Sequence, residues 1–482
     1  MYDVVIIGCG VVGAAAAYEL ARYKLRVAVL EAAADIAAGT TKANSAIIHA
    51  GYDPEPGTLM ARLNVEGNRL TGEICEKLQV PFRRVGSLVV AFSPEQLPTL
   101  QTLCDRGCKN GVPGLRLLSG EEARAMEPGL SEEVCGALLA PSAGIIDPWG
   151  FAIAMAETAV RGGVEVRRDC PVTGIEDTGA GFVLHTPQDD VTARFVLNAA
   201  GVDADRVHEM LEPNDWETLP SRGEYYLLDK SEHDRVSRVI FQCPGPEGKG
   251  VLVAPTIHGN LICGPNAQSV EDRLDLGDTA AGMEEVRRKA ARSVPGVEWR
   301  QNIRNFAGLR ANTTRSDFII EESKAHPGFI DLAGIKSPGL SSAPAIAKLA
   351  AQMLADDGLV LEPAPDFVDK REHIVFKNLS AEEKNELIRR DPRYGRVVCR
   401  CETITEGEIV AALHSPIPPR TINGVKRRCN AGMGRCQGGF CGPRVQEIIA
   451  RELGIDQAEV MLEQAGSYIL TGRTKTGGNG NV

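Results

Sequence analysis

The segment Gly8-Cys9-Gly10-Val11-Val12-Gly13 constrains the fold more than any other part of this sequence. It is a G-x-G-x-x-G turn, and it follows the β-branched run YDVVII at 2–7, which reads as a buried parallel strand. Residues 14–23 (AAAAYELARY) read as a helix, and 26–30 (RVAVL) as a second strand that ends at Glu31. Together they form a complete βαβ unit. Each part has a physical task. Gly8 permits the tight turn, Gly10 lets the backbone approach a pyrophosphate, and Gly13 lets the helix pack on the strand. The helix N-terminus offers N–H groups and partial positive charge to the phosphates, and Glu31 can accept hydrogen bonds from ribose hydroxyls. The unit predicts a dinucleotide site, and the fingerprint alone leaves FAD and NAD open.

A second signal lies near the other end of the chain. Cys399 and Cys401 form C-x-C, and Cys436 and Cys441 form C-x4-C. Two close pairs can gather four thiolates, a donor set that selects iron–sulfur or zinc. The run from Gly432 to Gly439 exposes backbone N–H groups to sulfur, and the basic run Lys426-Arg427-Arg428 offsets the charge of an anionic cluster. Both features favour a cluster over a structural zinc. A nucleotide site and a four-thiolate site on one chain point to electron transfer.

Composition narrows the setting. The 482 residues exceed one hydrophobic core and predict two to four domains. The net charge of −11 supplies no global basic field for nucleic acid. No run of 18 apolar residues occurs, so no direct membrane insertion is expected. The first residues lack a basic, cleavable leader, so a reducing cytoplasm is expected for the 13 cysteines, where clustered thiols favour metal over disulfides. The other nine are expected to pack as small apolar groups; Cys104 and Cys108 share a helix face by their spacing.

Two segments favour FAD. The strand at 194–201 (RFVLNAAG) ends in small residues that let backbone approach a cofactor. The turn at 334–341 (GIKSPGLS) precedes a helical run at 343–354, whose N-terminus could face the electron-rich edge of a reduced flavin.

With these motifs in view, residues 1–360 resemble the D-amino-acid-oxidase-type FAD oxidoreductases, most closely the branch of glycerol-3-phosphate and L-2-hydroxyglutarate dehydrogenases. The resemblance rests on the fingerprint, KANSAIIHAG (42–51), RGEYY (222–226), PTIHGN (255–260) with Gly264-Pro265, Gly308-Leu309-Arg310 and SPGL (337–340). Residues 390–455 resemble the bacterioferritin-associated-ferredoxin-like [2Fe-2S] domain, on VCRCE (398–402), GVKRR (424–428) and GMGRCQGGFC (432–441). The pattern departs at Cys429-Asn430, which leaves Cys429 as a further thiol near the centre.

The implied fold is α/β, with a Rossmann-type FAD-binding domain, an inserted antiparallel-sheet substrate domain and a small C-terminal [2Fe-2S] domain. The expected boundaries are 1–80, 140–220 and 305–360 for the FAD domain and 81–139 and 221–304 for the substrate domain. A linker (361–390), the ferredoxin-like domain (391–455) and a tail (456–482) follow. The linker is expected to carry a helix at 381–390, and the Gly- and Asn-rich end at 474–482 is expected to be mobile.

The resemblance implies oxidation of a small anionic alcohol by hydride transfer to FAD. Glycerol 3-phosphate giving dihydroxyacetone phosphate is the first expectation, L-2-hydroxyglutarate the second, and an amine or imino acid the third. Electrons would pass to partner subunits and a quinone, so any membrane contact would be peripheral. A docking or redox-sensing role for the C-terminal domain is the alternative of a different class. His49 is the candidate base, since an imidazole titrates near neutrality. Arg310 is the candidate anchor, since a guanidinium grips carboxylate or phosphate with two hydrogen bonds. Tyr225 and His258 are further substrate candidates. The cofactor candidates are Gly8, Gly10, Gly13, Glu31, Thr41, Asn44, Ser45, Val172, Ala200, Gly201, Gly308, Gly339, Leu340 and Ser341.

Overall fold

The computed structural model describes residues 1–245 and 250–472; the glycine-rich end discussed above lies outside them. The chain divides into two compact units. The first holds Met1–Ala32 and Ile36–Glu372, and the second holds Ala33–Asp35 and His373–Val482. The division at 372/373 falls inside the stretch read from sequence as a linker.

Two large sheets build the first unit. In one, the strand Tyr2–Ile7 lies centrally, paired in parallel with Val27–Leu30 and with Val191–Asn198. The parallel set continues to Glu165–Arg167 on one side and Phe329–Ala333 on the other. Val4, Val5 and Ile6 are fully buried, as a strand covered on both faces demands. The covering helices are Val11–Leu20, packed against Pro148–Arg161 and Gly339–Asp356, with Leu59–Leu78 on the last of these. The four alanines at 14–17 keep that first helix thin enough for close packing on both neighbours. The helix starts at Val11, three residues earlier than the alanine run suggests, because Gly10 serves as its N-cap.

In the second sheet, Ser221–Leu228 pairs antiparallel with Asn302–Arg310, setting Gly223 opposite Gly308 and Tyr225 opposite Phe306. The sheet is antiparallel except where Val239–Gln242 runs parallel to Ser87–Ala91. Its core joins Leu88, Val90, Ile240 and Val253 to Val286 and Ala290 of the helix Ala280–Ser293. Each such aliphatic side chain stabilises the fold by about 1.5–3 kcal/mol on burial.

The second unit is a small helical domain with a two-stranded hairpin, Val397–Cys399 with Ile404–Thr405. Helices Glu406–Leu413, Ile422–Cys429 and Gly442–Leu453 close its core around Ile409, Val425 and Ile449. Cys399 and Cys441 belong to that core. The helix Ala381–Arg390 has the bounds expected from sequence, set by a capping box between Ser380 and Glu383.

Arg427 and Arg428 correct the sequence reading. They do not serve the cysteines. Both bind the carboxylate of Asp35 at 2.9 Å, and Arg427 also binds Glu463 at 2.6 Å. Burial pushes the Asp35 carboxyl up, but Arg428 and then Arg427 outweigh it and hold it well below the usual range. A carboxylate 1% exposed needs such partners, and its position nearly 400 residues away hid it from the sequence.

Candidate active site and cluster site

The glycine turn adopts the form its spacing implies. Gly8 has φ +93°, and a Cβ there would lie 2.6 Å from the carbonyl oxygen of Ala199. A Cβ on Gly13 would lie 2.0 Å from the Gly8 carbonyl oxygen. Neither position admits a side chain. By contrast, a Cβ on Gly10 would meet only the Thr41 hydroxyl within 4 Å, at 3.3 Å. The space before the turn is thus left to a ligand, which is the fit a pyrophosphate requires.

The neighbouring candidates order this cradle. Glu31 accepts a 2.8 Å hydrogen bond from Cys9 N–H, and Thr41 Oγ1 accepts one of 2.9 Å from Val11 N–H. The helix N-terminus is therefore capped partly by a threonine that sequence reasoning placed only among cofactor candidates. Asn44 donates to the carbonyls of Thr40 and Thr41 and accepts from Ala46 N–H, fixing that loop. Val172 and Ala200 flank the core beneath the parallel sheet, and Gly201 follows at the exposed end of its strand.

His49 sits where three chain segments meet. Its N–H donates to Ser341 Oγ at 2.7 Å, near the start of the helix that Gly339 and Leu340 open. Its carbonyl accepts from the amides of Asn64 and Asn68, each at 2.9 Å. Its ring stacks on Phe241 with centroids 5.6 Å apart, and Nε2 lies 3.2 Å from Ser337 Oγ. Backbone, ring face and ring edge are all held. Sequence reasoning missed Asn64, Asn68, Phe241 and Ser337. The two asparagines left a trace as polar residues four apart on the buried face of an amphipathic helix, and Ser337 stands in the SPGL motif.

Tyr225 and Arg310 come together on the second sheet. Tyr225 is 4% exposed, lies parallel to Phe306 at 4.7 Å, and shares a hydrogen bond of 3.2 Å with Ser45. Burial pushes its phenol up, and Arg310 and Ser45 partly offset that. Arg310 reaches over Gly223 and donates to the Asn266 carbonyl at 2.9 Å. Gly308, two residues earlier in the same strand, pairs with Gly223. Tyr225, Phe241 and Phe306 belong to one apolar cluster, which links the Arg310 side to the His49 side. His258 stands apart from both. Its ring stacks on Trp149 at 6.5 Å and its Nε2 is 3.7 Å from Asp147.

In the second unit the four cysteines gather as two pairs. Cys401 and Cys436 have sulfurs 3.8 Å apart, and Cys441 hydrogen-bonds Cys399. A zinc ion needs four thiolates about one point, whereas two irons take two each. The donor set therefore fits a binuclear cluster. Cys441 and the N–H groups of Gly432 and Glu402 lower the Cys399 thiol to about 6 against its burial, and Cys441 rises in turn. The N–H groups of Phe440 and Gly438 lower Cys436. Cys429 is different: burial pushes it up to about 12, and its sulfur donates to the Val425 carbonyl one helical turn back. It is a helix-bound thiol.

Comparison with known proteins assigns both domains to families. Residues 3–353 match the family model for FAD dependent oxidoreductases, and residues 397–451 match the BFD-like [2Fe-2S] binding domain. The chain is 50% identical to the glycerol 3-phosphate dehydrogenase of Caloramator mitchellensis over 99% of both chains. It is 34% identical to the glycerol 3-phosphate oxidase of Mycoplasma genitalium, over 73% of this chain and 94% of that one. The solved dithionite-reduced L-alpha-glycerophosphate oxidase from Mycoplasma pneumoniae, with FAD bound, superposes with a TM-score of 0.73 at 30% identity. That match covers 77% of this chain and 98% of the other. No helix among the described residues is long and apolar enough to cross a membrane.

Proposed function

The chain belongs to the FAD dependent oxidoreductase family and carries a BFD-like [2Fe-2S] binding domain, and from that premise we propose that it oxidises sn-glycerol 3-phosphate to dihydroxyacetone phosphate. The observation that carries the substrate is the end-to-end likeness to a glycerol 3-phosphate dehydrogenase, which extends through the cluster domain. Bound FAD supplies the hydride acceptor.

The chain's own residues do the rest. Gly8, Gly10 and Gly13 receive the pyrophosphate, and Glu31 the ribose. His49 takes the substrate hydroxyl proton at Nε2. Ser337 Oγ lies 3.2 Å from that nitrogen, which shows that a hydroxyl fits against it. The tethers on the His49 backbone and Phe241 on its ring hold the base in one orientation, which is where most of the rate in such a reaction arises. Arg310 grips the anionic end with the guanidinium edge that Asn266 and Ser221 leave open, and Tyr225 walls the pocket beneath it. Cys399, Cys401, Cys436 and Cys441 would hold a [2Fe-2S] cluster, which would supply a one-electron relay toward partner subunits and a quinone. The compartment is the cytoplasm, with membrane contact only through those partners.

Anaerobic flavin bleaching tests this. Glycerol 3-phosphate is expected to bleach the flavin band. L-2-hydroxyglutarate and proline, offered in parallel, are expected to leave it. Bleaching by either of these in place of glycerol 3-phosphate would reassign the substrate while leaving the family intact.

A further inference from the structure

The two cysteine pairs differ in exposure. Cys399 and Cys441 are each 1% exposed within the core, while Cys401 and Cys436 lie on the surface. A cluster held by both pairs therefore has one shielded half and one half open to a partner. The lip of the open half has a definite chemistry. Phe440 is 59% exposed, although a large aromatic is normally buried. The Arg400 guanidinium lies 4.8 Å from its ring centroid, and Arg400 and Arg435 both stand exposed next to the surface cysteines. Arg400 has no carboxylate partner among the described residues, unlike Arg396 with Glu406 and Arg444 with Glu447. The acid beside Cys401, Glu402, is buried and faces Lys377 at 3.6 Å. An exposed aromatic flanked by arginines is the composition of an interface hot spot. On a chain of net charge −11 such a basic lip is a local inversion of sign.

We propose that the Cys401/Cys436 face is the port through which electrons leave the chain one at a time, and that Arg400 and Phe440 dock an acidic one-electron carrier protein there. This rests on the reading that the domain passes electrons onward. Each transfer moves one electron from the reduced cluster, which returns to its oxidised level, and reduces the carrier by one. No bond changes and no proton moves. Two transfers discharge the electron pair of one substrate hydride. The complementary charge steers encounter, and Phe440 supplies the apolar contact.

The test uses the reconstituted holoprotein, reduced with dithionite. Its cluster signal is followed by freeze-quench electron paramagnetic resonance, a readout independent of substrate turnover. Ferricyanide and hexaamminecobalt(III) serve as anionic and cationic oxidants, and an acidic plant-type ferredoxin and basic cytochrome c as protein probes. Ferricyanide and ferredoxin rates are expected to fall about tenfold from low to high ionic strength, and the cationic rates to rise or hold. R400E is expected to slow the anionic probes several-fold and speed the cationic ones. R400K restores them, and R389E, the same charge change on the helix Ala381–Arg390, does neither. F440A is expected to weaken ferredoxin binding about tenfold with an unchanged cluster line shape. Equal effects of R400E and R389E, tighter binding of cytochrome c than of ferredoxin, or binding to phosphatidylserine vesicles in place of ferredoxin would overturn the proposal. A flavin that no substrate bleaches would refute the function above and leave this port assignment standing.

Discussion

The two redox sites of this chain are built on opposite plans. Around His49, every contact restrains an atom: the backbone N–H, the carbonyl, the ring face and the ring edge each have a partner. Cys401 lies in a hairpin turn and Cys436 on a glycine-rich loop, and half of the sulfur set faces solvent. Hydride and proton transfer move atoms over bond lengths and reward fixed orientation. Electron transfer moves no atom, so it tolerates a looser frame and rewards access. The structure separates the two demands into two units, each with its own core.

The largest effect expected from this contrast is on catalysis. His49→Asn removes the proton acceptor and keeps much of the shape. It should lower the rate of flavin bleaching by glycerol 3-phosphate by about 10²–10⁴-fold, with FAD retained and the cluster signal unaltered. Stopped-flow absorbance on the anaerobic enzyme measures it. Equal loss of the cluster signal would show that the two sites are not independent.

Next comes the charge cluster that stabilises the second unit. Asp35→Asn takes the carboxylate from buried Arg428 and leaves Arg427 only Glu463, which should cost about 3–5 kcal/mol. Chemical denaturation followed at the cluster absorbance should report it. Because the folded-state carboxyl sits far below its ordinary value, its contribution is fully present above the unfolded value of about 3.9 and is lost only as pH falls through the folded value. The wild-type unit should therefore keep this contribution at pH 5.

These two residues also mark how much the sequence could tell. The βαβ unit, the helix Ala381–Arg390 and the cysteine pairs were legible because their causes are local: a glycine spacing, a capping box, a C-x-C. His49 was legible through its loop motif. The partners that make it useful, Ser337, Phe241, Asn64 and Asn68, come from distant segments, and no short pattern joins them. Arg427 and Arg428 misled for the same reason. As a run they looked like a charge reservoir for the cluster, and only the fold brings Asp35 to them.

A smaller effect is expected from the tethers. Asn68→Ala removes one of two amide donors to the His49 carbonyl and also strips Arg84 of a hydrogen-bond acceptor at 2.8 Å. A buried acceptor losing one of two partners costs about 1–3 kcal/mol at most. The fall in kcat should be about tenfold, with little change in KM, since the tether positions the base and does not touch substrate. Asn64→Ala should give a similar fall, and the double variant more than the sum, because the second loss leaves the carbonyl with no amide donor.

The smallest effect lies beside the parallel sheet. His208 Nδ1 is 2.6 Å from Asp331, whose other oxygen accepts from Asn198 at the end of the strand Val191–Asn198. Burial lowers the imidazole, but the hydrogen bond and charge of Asp331 outweigh it and raise it above its ordinary value. A raised histidine contributes stability that is fully present below its unfolded value of about 6.5 and is lost as pH rises through the folded value. Thermal unfolding of the first unit should thus weaken modestly as pH climbs past neutrality, and Asp331→Asn should flatten that slope.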